Sequence, residues 1–328
     1  MKLRLIALGL AANMVAITAA IALDSNLPAY QTISGFSGQI KSVGSDTLND
    51  EMALWAKGFE ALYPGVTIEI EGKGSATAPP ALLEGASQFA PMSGPMTTSE
   101  FYAFEKKYGY KPAHFRVAAD ALAVYVNKDN PILCLTLQQL DQIFSSTRQG
   151  RGSLGSRSIT TWGEAGITGE WATQPISLYG RNSVSGTYEF FRQNVLYGGA
   201  YKEDVRQQGG SAAVVQSVAN DKFGIGYAGL GYKTDGVRTV PLAAYYGAKC
   251  YDTTAEATYS RKYPIARYLY IYLNRKPDEP LDPLRAEFIK YILSKDGQTL
   301  TENSGYFPVT NEIRENDLNA LGIPAVAN

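Results

Sequence analysis

Apolar positions recur along this chain at two alternating periods, and the alternation predicts its elements. Leu48, Met52, Trp55, Phe59 and Leu62 fall on one helical stripe, which Tyr63-Pro64-Gly65 ends. Residues 66–70 alternate as a strand, and Gly72-Lys73-Gly74-Ser75 then leads into Ala78-Pro79-Pro80, where prolines suit the first turn of a helix. A short strand end at residues 89–94 precedes Thr97 and Glu100, which have capping-box spacing ahead of Phe101, Phe104 and Tyr108. Residues 115–127 read as one long buried strand, with His114 in the loop before it. A helix is predicted near residues 137–144, a strand at 176–179, a helix carrying Tyr188, Phe191 and Val195, and a short helix at 212–218. A second long apolar strand follows at 263–274, then a helix from about residue 283 to 293. Strands and helices alternate throughout, which predicts an α/β fold with ligand sites at the carboxyl ends of strands.

The length exceeds what one compact core usually holds, so two lobes are expected. The two long strands are the candidates to pass between them, with a middle lobe inserted into a lobe built from both ends. On this reading residues 39–119 and 265–328 form lobe 1 and residues 120–264 form lobe 2. Each lobe would be a central sheet flanked by helices, and the crossing strands would be the hinge.

Composition narrows the function classes. A formal charge of -1 provides no basic field for nucleic acid, and a single histidine limits both metal ligation and acid-base chemistry. Lys2 and Arg4 precede an apolar stretch over residues 5–17 and then Ala20-Ile21-Ala22, the form of a secretory signal peptide, so residues 1–22 are expected to be cleaved after Ala22. No cysteine follows the apolar stretch, which argues against a lipid anchor. Residues 23–38 read as a flexible lead. No later segment approaches the roughly 18 apolar residues of a membrane span, so the expected location is the periplasm. Cys134 and Cys250 are the only cysteines, and spacing leaves open whether they are bonded there. Residues 147–161, with Arg148, Arg151 and Arg157, read as a basic surface loop. Gly224-Ile225-Gly226-Tyr227-Ala228-Gly229 has dinucleotide-site spacing but no following helix pattern, and is read as accidental. The tyrosine-rich stretch 245–272 is read as packing.

The strongest candidate chemistry lies at Gly180-Arg181-Asn182-Ser183-Val184-Ser185-Gly186-Thr187-Tyr188. Ser-Gly-Thr opening a helix presents unpaired N–H groups to an oxyanion, and Arg181 adds a fork of donors. Alone, this run reads as an ordinary serine cap beside a solvated arginine. It has two companions, however: hydroxyl-bearing helix starts at Ser45-Asp46-Thr47-Leu48 and at Ser75, each after a predicted strand and turn. Three such starts imply N-termini converging on one cleft around a tetrahedral oxyanion.

These residues resemble the periplasmic phosphate-binding proteins of ABC importers, within the type 2 periplasmic binding-protein fold. The resemblance runs from Val43-Gly44-Ser45-Asp46-Thr47-Leu48 to the C-terminal helix. It implies that Arg181, Ser185, Gly186 and Thr187 bind phosphate, that Thr47 and Leu48 donate from the first loop, and that Ser75 donates from the second. Typical members follow the third-loop serine, here Ser93, with an aspartate that accepts the proton of phosphate and repels sulfate. This chain has Gly94 there, so Asp46 is expected to supply the acceptor, with Asp120 as a second candidate. The resemblance implies a monomer that binds inorganic phosphate, uses no cofactor and hands its ligand to an ABC permease in the inner membrane. Two other classes are carried beside it. A secreted phosphatase could use Ser185 as nucleophile, but the chain has no Asp/His cluster at metal-ligand spacing and no G-x-S-x-G. A matrix or adhesion protein could reuse the same fold.

Overall fold

The structure is a computed structural model that describes residues 23–150 and 157–325. The chain begins with β1 (Gly38–Val43), α1 (Asn49–Leu62), β2 (Val66–Glu71), α2 (Ala78–Leu83), β3 (Ala90–Met92) and α3 (Thr98–Tyr108). It continues through β4 (Ala113–Ala121), β5 (Ala123–Asn127), β6 (Leu135–Thr136), α4 (Leu137–Phe144), β7 (Ser177–Arg181) and α5 (Gly186–Asn194). Next come β8 (Arg206–Gln208), α6 (Ser211–Asn220), β9 (Gly224–Ala228), β10 (Val237–Thr239), β11 (Leu242–Ala243) and α7 (Ala255–Tyr259). The last elements are β12 (Ala266–Leu273), α8 (Pro283–Ile292), α9 (Lys295–Asn303), β13 (Phe307–Pro308) and α10 (Asn311–Ala320).

Two sheets organise these elements. The first runs β13-β4-β12-β3, and the parallel pair β1-β2 joins it through a bridge between Ser42 and Phe89. Its core gathers Met52, Trp55 and Phe59 of the predicted α1 stripe with Phe89, Phe115 and Phe288. The second sheet runs β10-β5-β9-β7-β8, and its core holds Leu140, Phe144, Trp162, Phe191, Tyr227 and Ile265. Two apolar cores, each against its own sheet with helices outside, make a two-lobed α/β fold. Cys134 and Cys250 are bonded, with Cα atoms 6.2 Å apart.

The expected single strand over 115–127 is two strands. β4 pairs with β12, β5 pairs with β9 and β10, and Leu122 lies between them. Every residue from 117 to 126 is buried, Asp120 included, so the change of sheet leaves no exposed turn to mark it in the sequence. The partner segment behaves alike. Tyr263 and Ile265 belong to the second core, and β12 pairs in the first sheet only from Ala266. Leu122 N donates to Ile265 O at 3.2 Å, which ties the two crossings together. His114 is a residue of β4 opposite Tyr272, not part of a loop.

Within residues 23–38, read as a flexible lead, the part around Leu27 and Tyr30 is packed while residues 31–35 are exposed. Leu27 is buried, and the Tyr30 ring meets Tyr291 edge-on with its hydroxyl 2.6 Å from that of Tyr63. Lys295 N donates to Pro28 O, and Asn311 N donates to Asp24. The polar composition of the segment hid a few apolar anchors that complete the first core. The signal segment, its cleavage site and Arg151 lie outside the described residues.

Other readings hold. Thr97 and Glu100 form both bonds of the capping box, and Thr136 with Gln139 forms a second one. The G-x-G-x-x-G run is strand β9, where a Cβ on Gly226 would lie 2.8 Å from a Val214 methyl of α6, so close strand–helix packing explains that glycine. Tyr263 and Tyr272 are packed, whereas Tyr245 and Tyr246 are exposed.

Trp55 is wholly buried and its indole N–H donates to Gly297 O at 3.0 Å, joining α1 to α9. Trp55→Ala should cost about 3–5 kcal/mol of stability through cavity and lost bond together. Urea unfolding followed by circular dichroism measures it.

Candidate functional site

Three chain turns bring the predicted helix starts to one place. Gly44 turns the chain out of β1 so tightly that a Cβ would lie 2.2 Å from Pro91 O. Leu48 then occupies the cap position of α1 without any side-chain cap bond, and Asn49 N donates to Asp46 O at 3.0 Å. Ser75 opens a short 3-10 turn ahead of α2, with prolines in the first turn as predicted. Ser185 caps α5, its Oγ accepting from Thr187 N at 3.1 Å and Tyr188 N at 3.4 Å. The ordinary cap bond therefore exists, and the hydroxyl proton remains for another acceptor.

The hydroxyls meet across the two lobes. Thr47 Oγ1 lies 2.9 Å from Thr187 Oγ1, and Thr187 Oγ1 lies 3.4 Å from Ser93 Oγ. Ser93 Oγ is 3.1 Å from Ser75 Oγ, which also accepts from Ser93 N at 3.0 Å. A Cβ on Gly186 would lie 2.4 Å from Ser75 Oγ and 2.7 Å from Ser93 Oγ, so only glycine lets α5 start against these serines. Thr47, Leu48, Ser75, Ser93, Ser185 and Thr187 are all buried. Thr47, Thr187, Ser93 and Ser75 thus form one chain of hydroxyls in hydrogen-bond contact. Gly94, where a Cβ would meet only the Phe190 ring at 3.9 Å, borders a cavity of about 640 Å³ shared with Ser75, Met96, Ser185, Gly186 and Phe190.

Arg181 ends β7 with 1% of its side chain exposed. Its Nη1 donates to Ser211 Oγ at 2.6 Å and its Nη2 lies 3.0 Å from Asp46 Oδ2, while Nε has no partner. Burial pulls the Arg181 pKa down and the Asp46 charge opposes that; a guanidinium stays protonated under either influence. Asp46 Oδ2 also accepts from Ser211 N at 3.0 Å. Hydroxyls of Tyr232 and Tyr306 donate to the carbonyls of Asp46 and Thr47 and fix the first loop. Asp120 does not supply a free acceptor. Its Oδ1 accepts from Leu230 N and its Oδ2 from Arg267 Nε at 2.9 Å.

Sequence reasoning missed two residues here. Ser211 follows Gly209-Gly210 and opens α6, which repeats the turn, hydroxyl, helix signal used for the other three starts. Arg267 is a lone charge in the apolar run of β12, and its Nη2 donates to Thr187 Oγ1 at 3.0 Å. A buried arginine in an otherwise apolar strand was the available signal.

The arrangement defines a class: two α/β lobes that bury a cluster of hydroxyl and helix-start donors with paired arginines between them. Comparison with known proteins agrees. The sequence matches the PBP superfamily domain over residues 31–296. It is 49% identical over 314 residues to the phosphate-binding protein PstS of Pseudomonas aeruginosa, covering 95% of this chain and 96% of that one. A putative phosphate ABC transporter substrate-binding protein with bound phosphate from Clostridium perfringens superposes with a TM-score of 0.69 at 25% identity, covering 83% of this chain and all of that one. A possible phosphate-binding protein from Planctomyces limnophilus gives a TM-score of 0.62 at 26% identity, covering 88% and 99%. The chain belongs to the family of phosphate-binding proteins of ABC phosphate importers, within the PBP superfamily.

One buried acid stands behind the first loop. Glu51, in the first turn of α1, has its pKa pushed up to about 8, chiefly by burial and further by the negative charge of Asp120. The nearby Thr301 hydroxyl opposes this but makes no full hydrogen bond. A carboxyl whose pKa rises on folding stabilises the fold below its unfolded value and loses that contribution as pH climbs toward 8. Glu51→Gln should therefore be more stable than the parent at pH 8, with the gap closing toward pH 5. Melting temperatures across this range check it.

Proposed function

We propose that this protein binds inorganic phosphate between its lobes and delivers it to an ABC permease of the inner membrane. The observation that carries the reading is the burial of helix starts from both lobes, at Thr47-Leu48, Ser75 and Ser185-Gly186-Thr187, around one hydroxyl cluster beside Arg181. Buried hydroxyls and N–H groups in such density need an acceptor-rich guest, and a tetrahedral oxyanion presents four oxygens to them. The name of the 49% identical relative and the phosphate-bound Clostridium structure support the same ligand.

In this reading Arg181 compensates charge, and Thr47, Ser75, Ser93, Ser185 and Thr187 donate hydroxyl bonds. The N–H groups of Leu48 and Gly186 complete the shell. Opening and closing turn on the crossings near Leu122 and Ile265, close to the expected lobe boundaries at 119/120 and 264/265. Closure excludes water and strengthens each bond. The protein works as a monomer in the periplasm after removal of residues 1–22. It binds without catalysis: Ser185 spends its lone pairs capping α5, and no histidine adjoins it to act as base.

Asp46 supplies the acceptor for the proton of phosphate that Gly94 cannot provide. Its Oδ2 is held by Arg181 and Ser211, which fixes the carboxylate beside the arginine and supports this reading.

Two measurements follow. Isothermal titration of the ligand-stripped protein should give phosphate binding that Arg181→Ala weakens at least about tenfold, since a charge-assisted hydrogen bond contributes about 1.5–3 kcal/mol. Asp46→Asn should lose preference for phosphate over sulfate. Unchanged discrimination by that variant would remove Asp46 from the role.

A further inference from the structure

Asp120 and Arg267 face each other in the β4–β12 ladder, one step before its last pair, Ala121 with Ala266, where both strands leave the first sheet. Their ion pair is almost wholly buried, with Nη2 2.8 Å from Asp120 Oδ2 and side-chain exposures of 2% and 0%. The pair reaches out of its own lobe in two directions. Asp120 Oδ1 accepts from Leu230 N, and Arg267 Nη2 donates to Thr187 Oγ1. The Arg267 guanidinium also lies 5.2 Å from the centre of the Phe190 ring on α5. Its Nη1 is buried with no hydrogen-bond partner. A side chain so enclosed with a donor left over is costly unless it serves a guest or fixes a neighbour.

The direction of the Arg267–Thr187 bond is unambiguous, because a guanidinium has donors only. Thr187 must spend a lone pair on it. Its single proton is then directed away from Arg267, toward Thr47, Ser93 or whatever sits among them. We infer that Arg267 is a positioning residue of the anion site: held by Asp120 at the crossing strands, it commits the Thr187 hydroxyl to donate to the bound anion. The hydroxyl cluster is otherwise ambiguous, since Thr47 with Thr187 and Ser75 with Ser93 can each donate either way. Arg267 breaks that symmetry. It also makes the donor set depend on the geometry of the hinge, because a shift between β4 and β12 moves the guanidinium relative to Thr187.

This inference rests on the phosphate reading above, so phosphate titration of the ligand-stripped parent comes first. No binding by the parent removes that reading and this one with it. Given binding, Arg267→Gln and Thr187→Val should each weaken it about tenfold or more, as loss of one bond to a charged group does. The double variant should bind no more than about threefold worse than Thr187→Val, because both changes remove the same committed donor. Arg267→Lys keeps the charge but cannot span Asp120 and Thr187 together, and should fall between parent and Arg267→Gln. The contrary result is an Arg267→Gln variant within about twofold of the parent, or single effects that multiply in the double variant. A melting temperature that falls in Arg267→Gln while phosphate affinity stays at the parent value would likewise assign Arg267 to the fold alone.

Discussion

The structure depends on buried polar groups beside the first sheet being satisfied by polar groups beside the second. Thr47 meets Thr187, Asp46 meets Arg181 and Ser211, and Arg267 meets Thr187. Asp46 and Thr47 follow β1 and Arg267 lies on β12, on the side of the first sheet, whereas Arg181 ends β7 and Thr187 and Ser211 sit in α5 and α6, on the side of the second. Burying such groups unpaired would cost on the order of 1–3 kcal/mol each, so the two halves pack in the register that pairs them. That register also sets the helix starts against one another.

The backbone is shaped to permit it. Gly44 lets the first loop pass under Pro91, and Gly186 lets α5 begin against Ser75 and Ser93. Gly74, at φ +121°, brings the second loop against Val184, where Ala76 N donates to Val184 O. Two arginines and two aspartates then balance locally. What distinguishes the enclosure is a surplus of oriented donors more than net charge, and such a surplus selects an acceptor-rich guest by hydrogen-bond count.

Much of this was legible in the sequence where one residue type carries one physical demand. The α1 stripe, the Thr97–Glu100 capping box and the helix start at Ser185 were legible because caps and amphipathic stripes are local. The breaks at Leu122 and Ile265 were not legible, since a strand buried on both faces reads the same whichever sheet it joins. Residues 23–38 misled for the opposite reason, their few anchors Leu27 and Tyr30 being diluted by polar neighbours. Arg267 and Ser211 act through partners more than fifty residues away or in another turn, which periodicity does not encode. Asp120 looked like a spare acceptor only while its partner Arg267 was unseen.

The most direct measurement is a crystal structure of the protein grown with phosphate. The account predicts one phosphate bonded at once to Thr47 and Ser75 from one lobe and to Arg181, Ser185 and Thr187 from the other. A phosphate held by one lobe alone, or seated away from these side chains, would contradict it.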